Sequence, residues 1–375
     1  MRLPQHFCLL NDGPTSKPGE DRCRGVTYPL LFGLRKPGEM RLLILGGTIF
    51  LGRHLVEAAL ARGHQVTVFN RGRHYPTAFP QVERLQGDRR GDLEVLQGRS
   101  WDAVVDTSGH VPRVVEKSAR LLAGAVGHYT FISSVFAYKG FPREPGLDEN
   151  SPLNLTADAA AEHVTPETLG PLKAFCERVL DAEVPRRALI VRAGFIFGPY
   201  DPTHRSGYWV HRVAQGGEVL APGDPNRQLQ IIDVRDLAEW ILTCIVSRRT
   251  GVYNGTGPAY PSPLTLGRLL QVCQTEGSSD ARSTWVSDEF LRAAGIRPGI
   301  DLPFWMPGGV AGVNCNKAIG AGLTFRPLEH TIRDTFGWYN VSRSSAQLRS
   351  GITRDHESQL LRSWHTESRA TDTSK

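Results

Sequence analysis

The strongest constraint on the fold is a short apolar run that ends in glycine and leads directly into a helical pattern. Residues 41–47 read RLLILGG, and residues 48–64 read TIFLGRHLVEAALARGH. An unbroken apolar run of this length suits a strand buried on both faces. Leu55, Ala58, Ala59 and Ala61 then recur at helical spacing, and Gly63 closes the helix. A strand turning through Gly46 and Gly47 into a helix N-terminus gathers backbone N–H groups and a positive dipole end at one point. A pyrophosphate needs that arrangement.

The alternation continues. QVTVFN (65–70), VERLQGD (82–88), DAVVDTSG (102–109) and HYTFISS (128–134) read as strands, and RALIVRAGFIFGP (187–199) holds another. VEKSARLLAGAV and LKAFCERVLDAE read as helices between them. Strand, helix, strand in succession means right-handed crossovers and an α/β, doubly wound parallel sheet covered on both faces. After about Tyr200 the pattern is interrupted by glycine and proline, which suggests a smaller lobe with returns to the sheet. The expected organisation is a proline-rich, disordered or loosely packed extension over 1–39 and a dinucleotide-binding domain over 40–200. A substrate-binding lobe over 201–342 and a mobile tail over 343–375, with at most one weak helix, complete it.

Composition excludes several classes. No run of about 18 apolar residues is present, so no membrane-spanning helix is expected. The six cysteines are scattered without a C-x-x-C pair, which fits reduced thiols in a cytoplasmic protein and indicates no metal site. The formal charge of +6 suggests an anionic partner until it is located. Each flank, 1–39 and 343–375, holds six basic and four acidic residues, which leaves 32 basic and 30 acidic residues in the body. A nearly neutral body is a poor nucleic-acid surface. The expected partner is a small molecule.

The ligand can be read further. Gly46, Gly47, Thr48, Ile49, Phe50 and Leu51 form the turn that would hold a dinucleotide. The second strand ends in Phe69-Asn70-Arg71-Gly72-Arg73, with no carboxylate for ribose hydroxyls. Guanidinium groups there suit a 2′-phosphate, favouring NADP over NAD. The competing reading makes Arg71 and Arg73 solvated turn residues. Asp88 suits either the adenine amino group or a helix cap. Asp106, Thr107 and Ser108 end a strand and should face the cofactor.

These segments, with FISSVFAY (131–138), RAGFIFGP, QIIDVRDLAEWI (230–241), VYNGTG (252–257) and FRPLEHTIRDTFGWY (325–339), resemble the extended short-chain dehydrogenase/reductases of the NAD-dependent epimerase/dehydratase type. The resemblance covers roughly residues 40–340. The GGTxFxG form is similar to an atypical branch that includes chloroplast stem-loop-binding proteins. Ile49 stands where the family usually has a third small residue, which narrows the approach of backbone to phosphate. The resemblance implies a Rossmann-type fold, cofactor contacts from Gly194, Phe195 and Ile196, and a homodimer. It also implies catalysis by a Tyr followed four residues later by Lys. Lys173 fits the lysine, which would hold the nicotinamide ribose, but the Tyr position is Leu169. Leucine transfers no proton, and losing a general acid–base costs about 100- to 10,000-fold in rate. Ser134, four residues before Tyr138, matches the serine that bonds the substrate oxygen. The plain alternatives are a strand-end hydroxyl for Ser134 and an exposed helical lysine for Lys173. His163, Glu167, Thr168 and Tyr208 are candidate replacements for the tyrosine. In SGYWVHRV (206–213), Tyr208 and Arg212, with Trp209 and His211, are candidate substrate contacts, or else one face of a packed helix.

Three functions follow. The first is an NADP-dependent oxidoreductase, epimerase or dehydratase acting on a nucleotide sugar or a similar hydroxylated or carbonyl metabolite. The second is a catalytically impaired dinucleotide-binding sensor or scaffold, motivated by Leu169. The third is an RNA-binding protein, which the neutral body disfavours.

Overall fold

The apolar run Arg41–Leu45 is the central strand β1. The computed structural model describes residues 38–75, 77–156, 158–259, 262–342 and 349–372. The expectation for residues 1–39 therefore lies outside the described residues, apart from Gly38 and Glu39.

After β1 come α1 (Phe50–Ala61), β2 (Gln65–Asn70), β3 (Glu83–Gln86), β4 (Trp101–Asp106), α2 (Pro112–Leu122), β5 (Val126–Ser134), α3 (Pro166–Glu183), β6 (Ala188–Ala193) and β7 (Phe195–Phe197). Then come α4 (Arg205–Ala214), β8 (Glu218–Pro222), β9 (Ile231–Asp233), α5 (Val234–Val246), β10 (Gly251–Gly255), α6 (Leu266–Glu276) and β11 (Arg282–Val286). The chain ends through α7 (Asp288–Ala293), α8 (Asn316–Gly320), α9 (Leu328–Ser342) and α10 (Arg354–Asp372).

Seven strands form one parallel sheet in the order β10-β6-β5-β4-β1-β2-β3. Ile44 of β1 lies opposite Val68 on one side and Val105 on the other. One face of the sheet packs on α1 and α5 through Leu55, Ala59, Leu237 and Ile241. The other packs on α2 and α3 through Val115, Leu122, Cys176 and Leu180. Both faces are covered, which is why the strand sequences are continuously apolar and not alternating. The second half returns to the sheet through α5 and β10. Short parallel pairs, β7 with β9 and β8 with β11, sit outside it.

A second core forms from α4, α6, α9 and the β8/β11 pair around Trp209 and Trp305, both fully buried. Here the expected mobile tail needs correction. Residues Arg354–Asp372 form a 19-residue helix, α10, that buries Leu360 and Leu361 in this core, with Ile352 buried just before it. Glu357 of α10, 2% exposed, pairs with Arg212 of α4 at 2.5 Å and accepts the Leu220 N–H at 3.0 Å.

Candidate functional site

The glycine turn is built by close approach. Gly46 and Gly47 hold φ of +117° and +82°, where a side chain is strained. A Cβ on Gly46 would stand 2.4 Å from Thr107 Oγ1, and one on Gly52 would stand 2.7 Å from the Gly47 nitrogen. Asn70 braces the turn, its Nδ2 donating to the Gly46 carbonyl at 2.9 Å while its Oδ1 accepts the Gly72 N–H at 2.8 Å. Ile49 precedes α1 in extended conformation and caps nothing with its side chain. The first N–H groups of α1 are thus left for a ligand.

A cavity of about 740 Å³ lies over this turn. It is lined by Gly46, Gly47, Thr48, Ile49, Phe50 and Leu51, by Asn70 to His74 after β2, and by Gly87 to Arg90 after β3. Thr107, Ser108 and His110 after β4, with Val111, Val114, Ile132, Val164, Ile196 and Pro202, close the other end. The strand order places β2 and β3 on one side of β1 and β4, β5 and β6 on the other. The cavity therefore has a basic end and an apolar end. The Arg71 and Arg73 side chains are exposed, with no carboxylate partner among the described residues. Asp88 lines the cavity and accepts the Arg90 N–H at 3.0 Å, closing a turn.

Several expected residues lie elsewhere. Asp106 is fully buried and does not line the cavity. Arg89 grips it in two bonds of 2.6 and 2.8 Å, and Tyr129 donates to it at 3.2 Å. Burial would raise the Asp106 pKa, but the Arg89 guanidinium overrides that and holds it below the ordinary carboxylate value. Lys173 is neither exposed nor a cavity wall. It is 5% exposed, and its Nζ donates to the carbonyls of Gly109 and Ile132, each at 2.6 Å. Burial lowers its pKa to about 8. The Ser134 hydroxyl accepts the Phe136 N–H at 3.2 Å, and Ser134 does not line the cavity. Of Gly194, Phe195 and Ile196, only Ile196 lines it. Gly194 fits against Thr256, and Phe195 packs on Phe136 and Phe304.

The two expected substrate contacts, Tyr208 and Arg212, are buried. Tyr208 is 3% exposed, edge-on to Trp209, and Arg212 is 4% exposed in its pair with Glu357. Arg212 also donates to the carbonyls of Gly216 and Glu218. Neither lines the cavity. Of the proposed tyrosine replacements, Thr168 and Glu167 are engaged with Thr165 at the start of α3. His163 accepts the Thr168 hydroxyl on its backbone carbonyl at 2.9 Å, and like them does not line this cavity.

Two site residues were missed. Arg89 follows Asp88 directly, yet its partner Asp106 is 17 positions away. His110 stands at the cavity rim, two residues beyond the strand-end segment that was singled out. The strand C-terminus rule would have reached it had the loop been followed further. Its Nδ1 lies 3.0 Å from the Ser108 carbonyl. The Lys173 ammonium, and burial after it, push its pKa down to about 4.

Residues 42–140 match the NAD dependent epimerase/dehydratase family. The chain is 24% identical over 257 residues to chloroplast stem-loop binding protein of 41 kDa b of Arabidopsis thaliana, covering 64% of this chain and 64% of that protein's length. It is 26% identical over 312 residues to a Streptomyces 3-diazoavenalumate denitrifying reductase, covering 72% and 99%. Among solved structures, dTDP-glucose 4,6-dehydratase from Bacillus anthracis, in complex with NAD, superposes with a TM-score of 0.61 at 15% identity over 81% of this chain and 97% of that one. At that identity the likeness shows the fold.

Proposed function

We propose that this chain, whose residues 42–140 belong to the NAD-dependent epimerase/dehydratase family, is a nicotinamide-dependent oxidoreductase that prefers NADP. The observation that carries the reading is the turn at Gly46, Gly47 and Gly52, where an added Cβ would strike Thr107, Val68 and the Gly47 backbone, so that only glycine lets the chain turn this tightly into α1. The uncapped start of α1 faces the same cavity. The residues present fit the cofactor. Arg71 and Arg73, exposed and without carboxylate partners among the described residues, would take a 2′-phosphate at the basic end. Ile132, Val164 and Ile196 would shelter the nicotinamide ring at the apolar end and exclude water.

When bound, the cofactor supplies or accepts a hydride. The chain's own residues position and screen. Lys173 ties α3 to the loop after β4 and to β5, holding the apolar end in shape. Thr107 and Ser108 donate to the Leu45 carbonyl at 2.9 and 3.1 Å and lock that loop to the glycine turn. The substrate is a hydroxylated or carbonyl metabolite, of which a nucleotide sugar is the kind named for the Bacillus anthracis dehydratase.

Calorimetric titration with NADP⁺ and NAD⁺ tests the reading. NADP⁺ should bind more tightly by at least about tenfold, the worth of one charge-assisted hydrogen bond. Absence of binding by either dinucleotide would refute the function. Equal affinity would refute the preference.

A further inference from the structure

Leu169 leaves the resemblance without its proton carrier. Among the described lining residues of the cavity, the ionisable side chains other than arginine are His74, Asp88 and His110. His74 and Asp88 follow β2 and β3, at the basic end. His110 alone follows β4, beside Val111, Val114 and Ile132 at the apolar end.

We propose that His110 is the proton-exchanging group of this site, with Nε2 directed to the substrate oxygen while Nδ1–H donates to the Ser108 carbonyl. The inference rests on the oxidoreductase reading above. A ring whose Nδ1 gives its hydrogen to a carbonyl is fixed in the tautomer that leaves Nε2 as an acceptor. No described residue bonds Nε2.

The loop that carries the ring is held at every residue. Ser108 N–H donates to Asp106 at 3.1 Å, and Ser108 Oγ donates to the Leu45 carbonyl. The Gly109 carbonyl takes the Lys173 ammonium. Gly109 itself cannot carry a side chain, because a Cβ would stand 2.7 Å from the Phe131 ring and 2.8 Å from Val115. A rigid loop of this kind presents a base in one geometry. Lys173 from α3 and Arg89 from the loop after β3 hold the ring neutral, against the opposing charge of Asp106 in β4. Lys173 keeps a role here as a positioning residue.

The balance closes. With the oxidised cofactor bound to accept a hydride, an alcohol losing its carbon-bound hydrogen would give its hydroxyl proton to Nε2. The former O–H electron pair becomes the second C–O bond, and the imidazolium returns the proton when a carbonyl is reduced.

The test is NMR of the full chain carrying ¹⁵N-labelled histidine, with His110→Gln identifying the signal. At pH 7 the ring should show a protonated Nδ1 and a bare Nε2, and saturating NADP⁺ should shift both nitrogens. Lys173→Met should raise the ring's pKa from about 4 toward the ordinary 6.5. With ketone and aldehyde probes, His110→Gln should lower NADPH-dependent kcat at least about 100-fold, with the NADP⁺ Kd within twofold. A protonated Nε2, or ring signals unmoved by bound NADP⁺, overturns the role of His110 and leaves the dinucleotide reading standing. Failure of calorimetry to detect NADP⁺ binding overturns both.

Discussion

Arg212→Met separates the two readings of α4. Arg212 donates through Nε to Glu357 at 2.5 Å and through its other nitrogens to the Gly216 and Glu218 carbonyls. Glu357 has only 2% of its side chain exposed, so removing the arginine leaves a buried carboxylate with the Leu220 N–H and a longer 3.5 Å pair to Arg354. Breaking a buried pair from one side costs about 3–5 kcal/mol, a shift of about 100- to 4,000-fold in the folding equilibrium. Glu357→Gln should cost less, because an amide oxygen still accepts the Leu220 N–H. Urea unfolding followed by circular dichroism measures each. In the double variant Arg212→Met/Glu357→Gln the costs should fall short of additive by at least about 1 kcal/mol, the signature of direct contact. The NADP⁺ Kd should stay within twofold, since neither residue lines the cavity. A loss below about 1 kcal/mol for Arg212→Met would refute the buried-pair reasoning. Lost turnover with unchanged stability would return Arg212 to the substrate.

Gly52→Ala places a methyl 2.7 Å from the Gly47 nitrogen and 3.0 Å from its Cα, both backbone atoms of the turn. It should weaken NADP⁺ by at least about 100-fold in calorimetry, while a Gly91→Ala control, which meets nothing within 4 Å, should leave it unchanged. Arg71→Ala with Arg73→Ala should remove about 1.5–3 kcal/mol per lost phosphate contact, and titration should then show NAD⁺ and NADP⁺ binding alike. His128 is 3% exposed, and burial lowers its pKa below 6.5. The unfolded chain then binds more protons, so this contribution is full above pH 6.5 and is lost as pH falls through the folded value. His128→Gln should flatten that decline between pH 7 and pH 5 in urea midpoints.

How much was legible follows from the range of each interaction. The central strands could be read because burial on both faces writes continuous apolar runs, and the glycine turn because its constraints are local. Helix α10 could be read only as one weak helix, and its docking could not be read at all. Its buried residues are few in a polar segment, and the partner of Glu357 lies 145 positions away. At the end of β4, Thr107 and Ser108 line the cavity and Asp106 does not. Successive residues of a strand point to opposite faces, so Asp106, Thr107 and Ser108 could not all meet one ligand. Asp106 points to the helix side, and its neighbours leave the strand. The same alternation keeps Ile196 at the cavity and turns Phe195 into packing.

The Arg89–Asp106 pair then connects what seemed separate. Asp106 is the last residue of β4, and its carboxylate accepts the N–H of Ser108, the second residue of the loop. Arg89 bonds the same carboxylate, the Ser108 hydroxyl at 3.3 Å and the Ser118 hydroxyl of α2 at 2.6 Å. One buried ion pair thus fixes the start of the loop that locks to the glycine turn through Leu45 and carries His110 at its far end. A buried pair adds little net stability against a well-packed apolar replacement. Its value here is positional, because apolar side chains could fill the space but could not orient Ser108. Phosphate turn and proposed base are therefore set by one charge pair, and a change at Arg89 should move both.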